Sequence, residues 1–214
     1  MHEDFLKNYQ LIKDLNVSRE TCIDFEQYIS LILDENRKIN IISKKNANKE
    51  IIRTRHIMDS SQIVDFVNLN YNTTYDLGSG AGFPGIVLAI MLKNIKKDMK
   101  FVLIEKSFRK SEFLKLVSEK LNLNTEIIQK DIFKLKNLKT GTIVSRAFKP
   151  LPILLDLINN NFRKYKNIIL FMGTNGKKIL NLTQKNWKME FIKKESLTSS
   201  NSFFLNIEKI KKLT

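Results

Sequence analysis

Cysteine occurs once in this chain, at Cys22, so no internal disulfide can form and no thiol cluster can hold a metal. Histidine occurs twice, at His2 and His56, which leaves too few ligands for a zinc site. No metal is therefore expected, and a reducing cytoplasm is the expected location. Long apolar runs are missing too. The longest, residues 86–92 and 168–172, fall far short of the roughly 20 residues that span a bilayer, so no membrane partner is expected. Residues 1–16 contain Glu3, Asp4 and Asp14 and no continuous apolar stretch, so no secretion signal is expected there. Proline is confined to Pro84, Pro150 and Pro152, and no linker rich in proline, glycine or serine divides the chain.

The 214 residues are enough for one α/β domain with a small helical extension, and an apolar fraction of 43% suits a packed core. Base greatly exceeds acid: 37 Lys and Arg stand against 22 Asp and Glu, for a net charge of +15. Such an excess favours a polyanionic partner, because lysine and arginine attract phosphate and release its counterions. Only seven of the basic residues are arginine, and lysine, asparagine and isoleucine are all abundant. Charge alone therefore also fits a surface that lysine merely solvates.

Periodicity divides the chain into residues 1–70, a helical cap, and residues 71–214, a Rossmann-like core, as one compact unit. Residues 18–37 read as a helix with Ser18 as N-cap and Cys22, Phe25, Tyr28, Ile29, Ile32 and Leu33 on one face. Residues 50–66 read as a second. Strands are expected at 74–77, 101–105, 125–129, 142–145, 168–172, 189–194 and 202–210. Helices fall at 84–93, 107–121 and 151–160, with Pro84 in a first turn and Phe108 among the buried residues of its helix. This alternation implies a mostly parallel seven-stranded sheet with helices on both faces.

The segment Asp76-Leu77-Gly78-Ser79-Gly80-Ala81-Gly82-Phe83-Pro84-Gly85 joins the first strand to a helix. Four glycines let backbone turn sharply and approach a ligand without a Cβ in the way. Gly80 to Gly85 literally matches G-x-G-x-x-G, the dinucleotide fingerprint, which keeps an NAD-dependent oxidoreductase as an alternative. Two features weigh against it. The glycines begin two residues earlier, at Gly78, and Asp76 puts a carboxylate at the strand end, expected to face the crevice. A carboxylate repels a pyrophosphate and attracts a cationic aminoacyl group. S-adenosyl-L-methionine carries an ammonium and a sulfonium and no phosphate, so it fits better. Glu105 ends the second strand and is placed to accept hydrogen bonds from a ribose, the competing reading being a pair with Lys106 or Arg109. Ser145-Arg146-Ala147-Phe148 follows the fourth strand on the same rim. Arg146 can contact a cofactor carboxylate or an RNA phosphate, and Phe148 can stack on a base; a salt-bridged arginine and a core phenylalanine are the plainer readings.

These segments, with Asn40-Ile41-Ile42-Ser43, Arg55-His56-Ile57-Met58-Asp59-Ser60 and Leu103-Ile104-Glu105-Lys106, together resemble the bacterial 16S ribosomal RNA guanine-N7 methyltransferases of the RsmG (glucose-inhibited division protein B) family. The resemblance implies a class I methyltransferase fold with a helical N-terminal extension. It implies S-adenosyl-L-methionine as cofactor and 16S rRNA, or the small ribosomal subunit, as partner. It also implies cofactor contacts at Gly78, Phe83, Asp131, Ile132 and Arg146, beside Asp76, Gly80 and Glu105, with Arg146 and Phe148 toward RNA. Two positions depart from the family: Glu105 stands where Asp is common, and Asp131-Ile132 where a small or apolar residue precedes Glu. A monomer is expected. Guanine N7 has a lone pair and no proton, so no catalytic acid or base is expected. His56 is read as tying the cap to the core. A non-catalytic RNA-binding protein on the same fold is the remaining alternative.

Overall fold

The computed structural model describes residues 9–15 and 17–213, the side chains of residues 11 and 13 excepted. Most of the stretch searched for a secretion signal, and His2, lie outside the described residues. The main sheet has seven strands in the order β3-β2-β1-β5-β7-β9-β8. They are β1 (Thr73–Leu77), β2 (Lys100–Ile104), β3 (Thr125–Ile128), β5 (Thr142–Ser145), β7 (Asn167–Met172), β8 (Trp187–Glu195) and β9 (Phe203–Lys212). All are parallel except β9, which runs antiparallel to both β7 and β8. Two short strands that carried no sequence signal, β4 (Leu138–Lys139) and β6 (Phe162–Lys164), pair separately. The strand expectations hold to within two or three residues at each end.

Of the six α-helical runs among the described residues, five match an expected helix. They are α1 (Arg19–Asn36), α3 (Gly85–Leu92), α4 (Phe108–Lys120), α5 (Leu151–Asn161) and α2, a continuous run of Lys49–Ile51, Ile52–Met58 and Asp59–Ser61. The sixth, α6 (Gly176–Thr183), opens on a glycine after Asn175; it was not expected, although Ile179, Leu180 and Leu182 fall on the side away from Lys177, Lys178 and Asn181. Three local readings are corrected. The helix expected over 50–66 stops at Ser61 and a separate 3₁₀ turn spans Val64–Phe66. Pro84 is the N-cap of α3 rather than a residue of its first turn. Phe108, expected in the core, is 62% exposed, because it lies on the side of the helix roughly opposite the centre of the buried face formed by Ser111, Phe113, Leu114 and Val117.

Helix α3 explains the architecture. All eight of its residues are buried, and Ile86, Val87, Leu88, Ile90, Met91 and Leu92 follow one another with no polar face. A helix apolar all round needs cover on every side. The sheet covers one side. Phe25, Tyr28, Ile29 and Ile32 of α1 and Ile52, Ile57 and Met58 of α2 join the same apolar cluster from the other. Each such side chain contributes about 1.5–3 kcal/mol on full burial. The cap is thus a layer of the core. Helix α1 starts where the Ser18 hydroxyl accepts from the Thr21 N–H at 3.2 Å, and the buried Arg53 on α2 pairs with Glu26 on α1 at 2.8 Å.

On the sheet's other face, α5 packs with Leu154, Leu155 and Ile158 over Ile143, Ile168 and Leu205. At the edge away from the glycine loop, the Asn167 amide bridges three elements. Its Nδ2 donates to the Phe66 carbonyl and to Asn206 Oδ1, both at 2.7 Å, and its Oδ1 accepts from the Thr142 hydroxyl at 2.9 Å. Replacing Asn167 by Leu keeps the volume and strands these partners. The expected loss is roughly 2–3 kcal/mol, at the upper end for an unsatisfied buried group, in urea unfolding; a variant as stable as the parent contradicts this role.

Candidate active site

The strand order reverses between β1 and β5, and the loops after these strands diverge. In open α/β sheets the crevice at such a point, beyond the carboxyl ends of the strands, binds ligands. Here it is a cleft of about 510 Å³. The loop after β1 forms its floor, with Gly78, Gly80 and Gly82 at φ of +73°, +59° and +101°. At Gly85 a Cβ would lie 2.6 Å from the Asp76 carboxylate, so only glycine fits that helix start.

Most of the loop's N–H groups are already committed. Those of Gly78 and Ser79 donate to the Ile104 carbonyl, that of Gly82 to Ser79 O, and that of Ile86 to Gly82 O. The Gly80 N–H donates to Glu105 Oε2 at 2.9 Å and the Gly85 N–H to Asp76 Oδ2 at 3.0 Å. A pyrophosphate would need these donors free at the helix N-terminus. Two carboxylates hold them instead, which removes the basis for a dinucleotide site.

Asp76 corrects the sequence reading. It does not face the crevice: it is buried beneath the loop, and its Oδ1 has no hydrogen-bond partner. Burial pushes its carboxyl up to about 7, partly opposed by the Gly85 N–H. Its local task is to fix the loop against α3. Glu105 does reach the cleft. Its second oxygen accepts from the Ser107 N–H at 2.8 Å, so both oxygens are oriented by backbone, and it pairs with neither Lys106 nor Arg109. Asp131 and Ile132 line the cleft after β3, and the Asp131 carboxylate caps a 3₁₀ turn through the Phe133 N–H at 3.1 Å. Lys106, Lys110, Lys130 and Lys149 complete the rim, and none of these four forms an ion pair among the described residues.

Arg146 lines the cleft, and part of its guanidinium is engaged within the protein. It pairs with Asp59 at 2.9 Å, donates to the Arg55 carbonyl at 2.6 Å and to the Ser60 hydroxyl at 3.4 Å, and covers the Phe171 ring. The arginine thereby locks α2 to the loop after β5. Asp59 in turn accepts from the Ser196 and Thr198 hydroxyls, drawing in the turn between β8 and β9. Phe148 is half-buried inside the cleft, its ring against Gly78, and does not stand out toward solvent.

His56 joins cap to core as anticipated. It lies in the π-helical part of α2, a geometry that tends to occur at functional sites. Its ring stacks on Phe83 with centroids 4.7 Å apart and 17° between planes. Both ring nitrogens are buried without a partner, and burial, with the nearby Arg146 and Arg55 charges, lowers its pKa to about 4. The imidazole is neutral at physiological pH. Sequence reasoning missed Tyr28, whose buried hydroxyl donates to the Ala81 carbonyl and ties α1 to the glycine loop. It also missed the Asp59 network. No spacing rule links positions 53 or 137 residues apart.

The sequence model of the rRNA small subunit methyltransferase G family matches residues 21–206. The ribosomal RNA small subunit methyltransferase G of Pelagibacter ubique is 56% identical over 210 residues, 98% of this chain and 99% of that protein. Its counterpart from Cereibacter sphaeroides is 30% identical over 198 residues, covering 92% and 95%. Among solved structures, a SAM-dependent methyltransferase from Aquifex aeolicus superposes with a TM-score of 0.56 at 13% identity, covering 82% of this chain and 97% of that one.

His56 makes the site acid-sensitive. Its folded pKa, about 4, lies below the ordinary 6.5, so its contribution is complete above pH 6.5 and is lost as pH falls toward 4. Asp76, raised from 3.8 to about 7, acts oppositely: its contribution is complete below 3.8 and is lost as pH rises toward 7. Replacing His56 by Phe removes the first effect alone. The melting temperature of that variant should fall less between pH 6.5 and 4 than the parent's; parallel curves would contradict the assignment.

Proposed function

The chain belongs to the rRNA small subunit methyltransferase G family, and on that ground we propose that its cleft binds S-adenosylmethionine and directs methyl transfer to N7 of a guanine in 16S ribosomal RNA. One observation carries the choice of cofactor: the Gly85 N–H at the helix start is held by Asp76 and the Gly80 N–H within the loop by Glu105, so carboxylates occupy the donors that an anion would use there. An adenosyl donor bearing an ammonium and a sulfonium suits it; an NAD pyrophosphate does not.

In this reading Gly78, Gly80 and Phe83 contact the cofactor along the loop. Glu105 accepts from the ribose hydroxyls with an orientation already set by Gly80 and Ser107. Asp131 and Ile132 border the adenine. Asp76 acts one step back, by shaping the loop and by its negative field when ionised. Arg146 lines the same cleft, and in this reading it holds the wall while its remaining donors contact the cofactor or the RNA. When bound, the cofactor supplies an electrophilic methyl group on sulfur. The chain's own part is to hold donor and acceptor in line and to supply the electrostatic surroundings. No residue needs to take a proton from N7. Neutral His56 adds no positive charge beside a purine that acquires one.

Lys106, Lys110, Lys130 and Lys149 are proposed to hold the rRNA backbone at the rim, consistent with a net charge of +15. We further read the protein as a cytoplasmic monomer, the lone thiol Cys22 supporting the compartment. No helix among the described residues is long and apolar enough to cross a membrane.

Transfer of label from methyl-labelled cofactor to undermethylated small subunits or naked 16S rRNA, with mapping of the modified base, tests the activity. Binding without transfer would instead identify a non-catalytic RNA-binding protein. Replacing Gly80 by Leu should abolish calorimetric cofactor binding with an unchanged circular dichroism spectrum; intact affinity would refute the loop assignment. RNA affinity should fall steeply with salt, and replacing each rim lysine by Ala should flatten the log–log slope by about 0.7 for unpaired RNA. A flat response in the parent protein would exclude an electrostatic RNA site.

A further inference from the structure

Among the described residues, aromatic rings are hidden with two exceptions. Phe108 is 62% exposed and Phe133 41%, while every other described phenylalanine, tyrosine and tryptophan is buried or half-buried. Both exposed rings stand at the same edge of the molecule. Phe108 opens α4 just after β2, and Phe133 lies in the 3₁₀ turn just after β3. These strands are parallel neighbours, so both rings emerge at the carboxyl end of the sheet, on the side of the cleft where Glu105 and Asp131 lie.

Both rings are also set in basic sequence. The first sits within Lys106-Ser107-Phe108-Arg109-Lys110 and the second between Lys130 and Lys134. Phe133 is already engaged: it lines the cleft, and the Lys149 ammonium lies 5.7 Å from its ring. Phe108 is not. Its ring faces away from the buried side of α4, and among the described residues it neither packs on another ring nor carries a cation. Lys106 and Lys110, on either side of it in the chain, line the cleft, so the ring stands beside the mouth. Neither these two lysines nor Arg109 forms an ion pair among the described residues. Glu112, one turn along α4, is neutralised by Lys115 at 2.8 Å.

A bare ring among uncompensated cations suits a partner that offers both a flat face and negative charge. An acidic peptide would satisfy the cations and leave the ring in water. Paired RNA hides its base faces in the stack. An unpaired strand presents bases to the ring and phosphates to the cations. We propose that Phe108 is a stacking platform for an unpaired rRNA base flanking the methylated guanine, with Lys106, Arg109 and Lys110 on the adjoining phosphates. The proposal rests on the methyltransferase reading above. The platform holds the strand beside the cleft and so fixes which nucleotide enters it.

Phe108→Ala should weaken 16S rRNA binding roughly 10-fold, the scale of one base–aromatic stack, and leave the salt slope unchanged because no charge is lost. Its cofactor affinity and melting temperature should equal the parent's. Arg109→Ala should do the reverse at the slope, flattening it by about 0.7. Phe108→Trp keeps a flat ring and should bind rRNA as the parent does. Its indole can be read directly, because the only other tryptophan, Trp187, is 2% exposed. A short oligoadenylate should quench that indole; polyphosphate, which carries charge without bases, should not. Parent affinity for naked rRNA in folded Phe108→Ala overturns the proposal, as does equal quenching by polyphosphate. A loss seen with whole subunits and absent with naked rRNA also overturns it, and assigns the ring to a ribosomal protein. A parent protein that neither binds nor methylates rRNA defeats the underlying reading instead, which separates the two failures.

Discussion

Helix α3 has no polar face, and the rest of the molecule is arranged around that constraint. Its eight residues are all buried, so one side packs on the sheet and the other must be roofed. The roof is α1 and α2, and its cost in chain length brings chemistry with it. Tyr28 reaches the Ala81 carbonyl, His56 lies over Phe83, and Asp59 takes Arg146. The apolar demand of one helix therefore fixes three polar groups around the glycine loop. Cap and catalytic core cannot be separated energetically, because one apolar cluster runs through both.

Charge is distributed by depth. Carboxylates lie at the bottom: Asp76 buried under the loop and Glu105 on the cleft wall, each holding a backbone N–H that would otherwise attract an anion. Uncompensated lysines lie at the rim. An interior of this sign suits a cationic adenosyl donor and the rim suits a polyanionic substrate, so on the proposed function the two ligands of one reaction would be attracted to different levels of the same cleft. Arg146 bridges the levels, and its pairing with Asp59 keeps its positive charge from opposing the donor. The neutrality of His56 follows first from its burial, to which the nearby charges of Arg146 and Arg55 add.

The sequence by itself determined the sheet, most of the helices and the ligand loop. Runs such as Ile168 to Met172 read as buried strands once they alternate with amphipathic helices, and four glycines after Asp76 mark a sharp turn and a close approach of backbone. These are local signals, set by side-chain period and backbone freedom within a few residues. Tertiary structure alone decided what each polar group does. Asp76 has the sequence of a cleft carboxylate and the environment of a buried brace. Arg146 lines the cleft and also ties α2 to the loop after β5, a second role that its place in the sequence does not disclose. Phe148 sets its ring against Gly78, inside the cleft. For Arg146 the outcome depends on a partner 87 positions away, Asp59, whose pairing no local pattern encodes. Burial and hydrogen-bond geometry settle a side chain's charge and availability, and both exist only once the chain has closed on itself.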